Sequence, residues 1–203
     1  MSRYTGPRVK VMRALGIELP GLSRKKIERR PYPPGQHGQA RKKVTAYGLR
    51  LREKQKLRYH YGLGESQLRR LMAEALRGKT ATGAKLVELC ERRLDNVVFR
   101  AGFARTIPAA RQLVKHGHIR VNDQRIDIPS FRMSKGDVIT IHPQSRGLQS
   151  IAQGLAAGDE LRPAWIELEK EALVARVVAL PDETSIPFVI ETQLVVEFYS
   201  QSL

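Results

Sequence analysis

The sequence is poor in three things, and each shortage excludes something. It holds one cysteine, Cys90, among 203 residues. That excludes an internal disulfide and any all-cysteine zinc site within one chain, and it suits a reducing compartment. It has no apolar run near the roughly 20 residues that a membrane-spanning helix needs, and its basic start is not followed by the apolar stretch of a secretory signal. Carboxylates are scarce where the chain begins: residues 1–60 carry 17 Lys/Arg against 3 Asp/Glu.

What is present is charge, unevenly spread. The formal net charge is +16 and the pI about 10.5. Residues 61–90 hold 5 Lys/Arg and 3 Asp/Glu, residues 91–150 hold 11 and 5, and residues 151–203 hold 3 and 9. One basic surface facing a polyanion and one acidic face turned elsewhere are expected from this asymmetry. With 41 % apolar and 28 % charged residues the chain has a core to bury, enough for one or two domains. A membrane-surface role would need a long amphipathic helix. Gly6, Pro7, Gly16, Pro20, Gly21, Pro31, Pro33, Pro34, Gly35 and Gly38 break residues 1–45 too often for that.

Residues 1–45 read as an extended basic arm with one short helix around Val9–Leu15. Within it, Pro33-Pro34 favours a polyproline-like backbone, and Gly35 and Gly38 let the backbone approach a large partner. Basic residues flank this run on both sides. A preshaped clamp on phosphates and a disordered basic linker both fit the composition. Residues 46–61 read as a helix with Arg50, Lys54 and Arg58 at i, i+4 and i+8. Only Glu53 lies within intrahelical reach, so the stripe favours a partner anion over self-repulsion. A further helix begins after Gly64 with Ser66 as candidate cap, and another spans Thr82–Glu91. Cys90 reads as a small buried apolar residue in it.

Residues 92–141 carry the strongest pattern. A helix ends at Gly102, with Leu94, Val97 and Val98 on one side. Thr106 caps the next, Pro108 sits in its first turn, and Gly117 stops it. Arg111 and Lys115, and Gln112 and His116, are four apart and share its outward side. Alternation follows: Ile119-Arg120-Val121-Asn122, a turn at Asp123-Gln124, then Arg125-Ile126-Asp127-Ile128. Lys135-Gly136-Asp137 is a turn before the strand 137–141. Arg105, Arg111, Lys115, His118 and Arg120 are expected along one rim, suited to the backbone of folded RNA.

Arg92-Arg93-Leu94-Asp95, Ala110-Arg111-Gln112-Leu113-Val114, His116-Gly117-His118-Ile119 and Lys135-Gly136-Asp137 together resemble the small RNA-binding module named after ribosomal protein S-four. Tyr4-Thr5-Gly6-Pro7, Pro33-Pro34-Gly35-Gln36-His37-Gly38-Gln39, Glu53-Lys54-Gln55-Lys56-Leu57-Arg58 and Val196-Glu197-Phe198-Tyr199-Ser200 extend the likeness. The chain thus resembles the bacterial-type small-subunit ribosomal protein S-four family over almost its whole length.

The resemblance implies an α+β fold. It would have a basic N-terminal arm (1–45) and a helical domain (46–91), completed by the C-terminal segment 165–203. Inserted is an RNA-binding module (92–155) of two helices packed on an antiparallel sheet. It implies binding to the five-prime domain of small-subunit ribosomal RNA and nucleation of subunit assembly in the cytoplasm, or in a plastid if the gene is organellar. It also implies a neighbouring ribosomal protein S-five whose contact affects translational accuracy, messenger RNA at the entry path, and no enzyme activity, cofactor or membrane. The residues carried over are Arg3, Tyr4, Gln36, His37, Gly38, Arg41, Lys42 and Lys43 of the arm and Arg50, Lys54 and Arg58 of the first helix. From the module come Arg92, Arg93, Arg105, Arg111, Gln112, Lys115, His116, His118 and Arg120. Replacing both Arg111 and Lys115 by alanine is expected to weaken RNA binding and leave the fold intact.

One departure matters. Many relatives carry a zinc-binding cysteine cluster near the N-terminus, and this chain has none, so no metal is expected. Two rivals remain weaker. An RNA-modifying enzyme needs a catalytic domain, and residues 151–203 offer only a charged run at Glu167, Glu169 and Glu171 and no nucleotide-binding glycine loop. A DNA binder needs a recognition helix with base-reading spacing, which is not evident.

Overall fold

In the computed structural model, residues 4–40, 43–157 and 162–200 are described. They form eight α-helices and one five-stranded sheet, an α+β fold. The chain makes two compact units, Met1–Leu86 with Pro187–Leu203, and Val87–Ile186. It passes from the first to the second inside helix α4 (Thr82–Glu91).

In the first unit the arm is more folded than expected. Helix α1 (Arg8–Leu15) stops at Gly16, whose φ of 71° is the left-handed conformation glycine adopts at little cost. Met12, Leu19 and Leu22 are buried together, with Val9, Leu15, Ile27, Tyr59 and Phe188 packed around them. At about 1.5–3 kcal/mol for each large apolar side chain taken from water, that cluster ties residues 8–27 to Tyr59 and Phe188. Arg13 then ties the proline run back: its Nε donates to the Arg30 and Tyr32 carbonyls at 3.0 and 3.1 Å, and its guanidinium lies 5.1 Å from the Tyr32 ring centre.

Helix α2 (Ala46–His60) is capped by Thr45, whose Oγ1 accepts from the Gly48 N–H at 3.1 Å. Helix α3 (Glu65–Leu76) starts one residue before Ser66, so Ser66 is not its cap. Gly64 holds that position, and the side chain of Gln67 accepts from the Gly64 N–H at 3.2 Å. Residues 192–200, ambiguous in sequence, are helix α8 (Thr192–Ser200). Val195 and Tyr199, one turn apart, are buried while Glu197 between them is not, a helical spacing, since strand alternation would bury all three.

The second unit packs α5 (Leu94–Arg100) and α6 (Ile107–Lys115) with a sheet of strands β1 (Ile119–Val121), β2 (Gln124–Arg125), β3 (Val138–Ile141), β4 (Ile166–Glu169) and β5 (Val174–Val177). The order is β2-β1-β3-β5-β4, every pair antiparallel. Leu94, Val97, Val98, Ile107, Ala110, Val114, Ile119, Ile139 and Ala175 are buried in it. Helix α7 (Gln149–Ala157) is a further element that the sequence reading passes over.

Two boundaries differ from expectation. The β1–β2 turn is Asn122-Asp123, with φ of 50° and 64°, not Asp123-Gln124. A two-residue turn with both centres left-handed favours Asn and Asp, which tolerate that region better than Gln. And of the C-terminal segment 165–203, only residues 187–203 belong with the helical unit. Residues 166–177 widen the module's sheet. Their strands alternate: Ile166, Ala175 and Val177 are buried while Glu167, Glu169 and Arg176 are exposed. Period-two burial of this kind hides inside what reads as a solvated acidic run.

Candidate nucleic-acid interface

Helix α6 aims the candidate site. Thr106 is extended and its Oγ1 accepts from the Ala109 N–H at 3.4 Å. Pro108 occupies a first-turn position where no N–H is needed. Ile107, Ala110, Leu113 and Val114 turn inward, which leaves Gln112, Lys115 and His116 exposed on the other side. His116 keeps helical angles and Gly117, at φ 73°, reverses the chain into β1. His116 and His118 therefore do not alternate as on a strand; their ring centres lie 5.9 Å apart. The His118 Nδ1 is 2.8 Å from the Ser145 hydroxyl. Burial, then the charges of His116, His142 and Arg125, hold the His118 imidazolium below its ordinary range. The ring is neutral at pH 7.

Beside it the register of β1 and β2 sets Arg120 directly opposite Arg125. Like charges facing across a strand pair repel. Among the described residues no carboxylate forms an ion pair with Lys115, Arg120 or Arg125. The Arg125 guanidinium lies over the Gly117 backbone, where any Cβ would come within 2.3 Å of its Nε. Arg125 was not singled out in the sequence. The turn type was the missed signal: placing it one residue earlier pairs Arg125 with Arg120. A cleft of about 320 Å³ is lined by Ala104, Arg105, Ala109, Gln112, Leu113, His116, His118, Leu148, Ser150 and Gln153, so it includes both histidines that flank Gly117.

Other expected contacts are turned inward. Arg93 is buried and grips Asp95 with Nε and Nη2 at 3.0 and 2.9 Å. Arg111 grips the same carboxylate at 2.9 and 2.6 Å. Asp95 is fully buried, so both arginines serve to neutralise a desolvated charge, an arrangement that is costly to interrupt. Replacing Arg111 is thus expected to cost stability as well as charge, which bears on the expectation that the fold is left intact. Behind them Arg100 pairs with Glu91 at 3.3 Å, and the Asn96 amide donates to the Glu91 carboxylate at 2.8 Å. Arg92 pairs with Glu88 at 2.9 Å and donates to the Met133 carbonyl.

The α2 stripe is likewise answered from within. Arg50 meets Glu197 of α8 at 2.8 Å. Lys54 is buried, 2.8 Å from Glu65 and 4.7 Å from the Phe198 ring centre. Arg58 lies 3.9 Å from Glu65. Burial raises the affinity of Glu65 for a proton, but hydrogen bonds from Lys54 and Tyr199 and the Lys54 and Arg58 charges outweigh it, and its carboxyl sits below the ordinary range. The inference that this stripe lacks partners is overturned: they are distant in sequence.

In the arm, Gln36, His37 and Lys43 are exposed. Gly38 is fixed by sterics, since a Cβ there would collide with the Pro33 carbonyl oxygen. Tyr4 is exposed and packs edge-on against Tyr59, ring centres 5.2 Å apart. Arg3, Arg41 and Lys42 lie outside the described residues. Cys90 is fully buried, and burial pushes its thiol up to about 12, so it is an inert core residue. Among the described residues no group of three or more His, Cys, Asp or Glu could hold a metal ion, and no helix is long and apolar enough to cross a membrane.

Known families divide the chain similarly. Residues 3–91 match the Ribosomal protein S4/S9 N-terminal domain, and residues 92–139 match the S4 domain. A protein of Methylobacillus flagellatus called small ribosomal subunit protein uS4 is 54 % identical over 205 residues, covering 100 % of both chains. Small ribosomal subunit protein uS4B of Nitrosomonas europaea is 50 % identical over 205 residues, again 100 % of both. The uS4 protein of Rippkaea orientalis is 52 % identical over 202 residues, 99 % of each.

Proposed function

The chain belongs to the small ribosomal subunit protein uS4 family, the S-four family, and on that premise we propose that it is a structural, ribosomal RNA-binding component of the small subunit. The observation that carries the reading is the Lys115–Arg120–Arg125 group, three cations without an internal carboxylate on a helix and hairpin whose geometry is locked by Gly117. Such a group offers fixed positive charge to phosphates, which supply most of the binding free energy for RNA and release counterions on contact. Gln112 and the His116 ring add hydrogen-bonding and stacking surface of the kind used on unstacked RNA. Gln36, His37 and Lys43 of the arm are proposed as a second point of contact, as are Arg3, Arg41 and Lys42.

Finer roles follow from family membership and belong to the same proposal. They are the five-prime domain of small-subunit ribosomal RNA as target, early entry into subunit assembly, and a place beside ribosomal protein S-five with influence on accuracy. A position near the messenger path, a cytoplasmic ribosome and the absence of turnover complete it. Filter binding of the protein to small-subunit ribosomal RNA over a range of salt tests the core claim. The expected result is a steep loss of affinity with salt and a slope about one unit shallower for each of Lys115→Ala and Arg125→Ala. Wild-type affinity and slope in both variants would remove this surface from the reading.

A further inference from the structure

The cleft beside the cations has a composition that phosphate binding alone does not explain. Its floor is small and apolar: Ala104, Ala109, Leu113 and Leu148. Its walls carry two carboxamides, a hydroxyl, two imidazoles and one guanidinium, from Gln112, Gln153, Ser150, His116, His118 and Arg105. No carboxylate lines it. Ala109, Gln112 and His116 fall at i, i+3 and i+7 on α6, and Ser150 and Gln153 at i and i+3 on α7, so each helix turns one continuous face to the cleft.

The walls are also fixed. Gly154 of α7 is buried, and a Cβ there would sit 2.6 Å from the Gly102 carbonyl oxygen and 3.0 Å from the Ala104 nitrogen. The α7 backbone therefore lies directly on the turn that leads into α6. On the other side the His118 ring is held by Ser145 at 2.8 Å.

We propose that this cleft receives one unstacked nucleobase of the bound RNA strand, while the neighbouring phosphates rest on Lys115, Arg120 and Arg125. The inference rests on the RNA-binding reading above. A cleft of about 320 Å³ is at the small end of ligand sites, roughly 300–1,000 Å³, a size suited to one base and not to a stem. Carboxamides present a donor and an acceptor side by side, the arrangement that reads a base edge. The apolar floor and the imidazole rings supply the flat contact on which bases stack. The Arg105 guanidinium in the lining, with Lys115 next to His116 in the chain, favours a base attached to phosphates over an uncharged ligand.

The test is small-subunit ribosomal RNA binding by the full chain as a function of salt, with three variants. Ala109→Trp fills the cleft, Gln153→Ala removes an exposed edge-reading amide, and Lys115→Ala removes a phosphate contact. Expected are about a ten- to hundredfold weakening for Ala109→Trp, in line with the loss of one stacked base, and a smaller loss for Gln153→Ala. Both should keep the wild-type salt slope, whereas Lys115→Ala lowers it. In parallel, one base of the RNA should be shielded from Watson–Crick-edge chemical probing by the wild type and exposed with Ala109→Trp. Wild-type affinity and an unchanged probing pattern in both cleft variants, with Lys115→Ala still weakened, would overturn the base site and leave the RNA-binding reading standing. Failure of the wild type to bind the RNA would overturn both. Gln153→Ala keeps the test decisive should Ala109→Trp not fold.

Discussion

Helices α2 and α6 each carry cations four residues apart, and the fold uses them differently. On α2 the positive stripe is matched by Glu65 and Glu197, carboxylates that arrive from α3 and α8. On α6 Arg111 is matched by Asp95, while Lys115 stays exposed and no carboxylate pairs with it among the described residues. Spacing along a helix says which side chains share a face. It does not say what meets that face, and a buried carboxylate far along the chain turns a ligand-binding stripe into an internal joint.

The comparison breaks most visibly at Asp95. Asp95→Ala leaves the guanidinium of buried Arg93 without its partner, and the expected loss is about 3–5 kcal/mol by urea unfolding. A loss below 1 kcal/mol would mean that Arg93 and Arg111 are not held by that charge. Arg111→Ala alone, with Arg93 still in place, is expected to cost about 1–3 kcal/mol. The Arg111→Ala, Lys115→Ala double variant then confounds folding with binding, and Lys115→Ala by itself is the cleaner probe.

The next contrast is in RNA binding. Lys54→Met removes a cation from the paired stripe and should leave the salt slope for small-subunit ribosomal RNA unchanged, whereas Lys115→Ala makes it about one unit shallower. Equal slopes for the two would erase the distinction between the helices.

The smallest expected effects lie in pH. The Glu65 carboxyl is held below 4.5 in the folded state, so its contribution to stability is present above that pH and lost as pH falls through the folded value. Unfolding curves of wild type and Glu65→Gln should converge on acidification. The His118 imidazole is held below 6.5, so its neutral form adds stability that is full above that pH and declines below it. His118→Gln should flatten that decline between pH 6.5 and 5. A wild-type profile as flat as the variant's would show that protonation costs this site nothing.

Much of the architecture was legible because it is local. Thr106, Pro108 and Gly117 bracket α6, and Leu94, Val97 and Val98 mark α5. The α+β class follows from helices giving way to alternation near Ile119. What escaped was set by distant pairings. Strands β4 and β5 are four residues each, with every second residue charged in β4 and a single charge, Arg176, in β5. The folding of the arm depends on Met12 and Leu19 meeting Tyr59 and Phe188. Of the candidate site, Gln112, Lys115, His116 and Arg120 could be named from periodicity. Arg125 needed the exact turn, and the inward fate of Arg93 and Lys54 needed the carboxylates that the fold brings to them.

The first unit is sewn from both ends of the chain, since α8 follows the whole of the second unit and supplies Glu197, Phe198 and Tyr199 to α2 and α3. During synthesis, then, the middle of the polypeptide can finish folding while α2 waits with Arg50 unmatched, its partner Glu197 still to come. A nascent chain lacking only its last helical turns would hold a completed second unit and an incomplete first one.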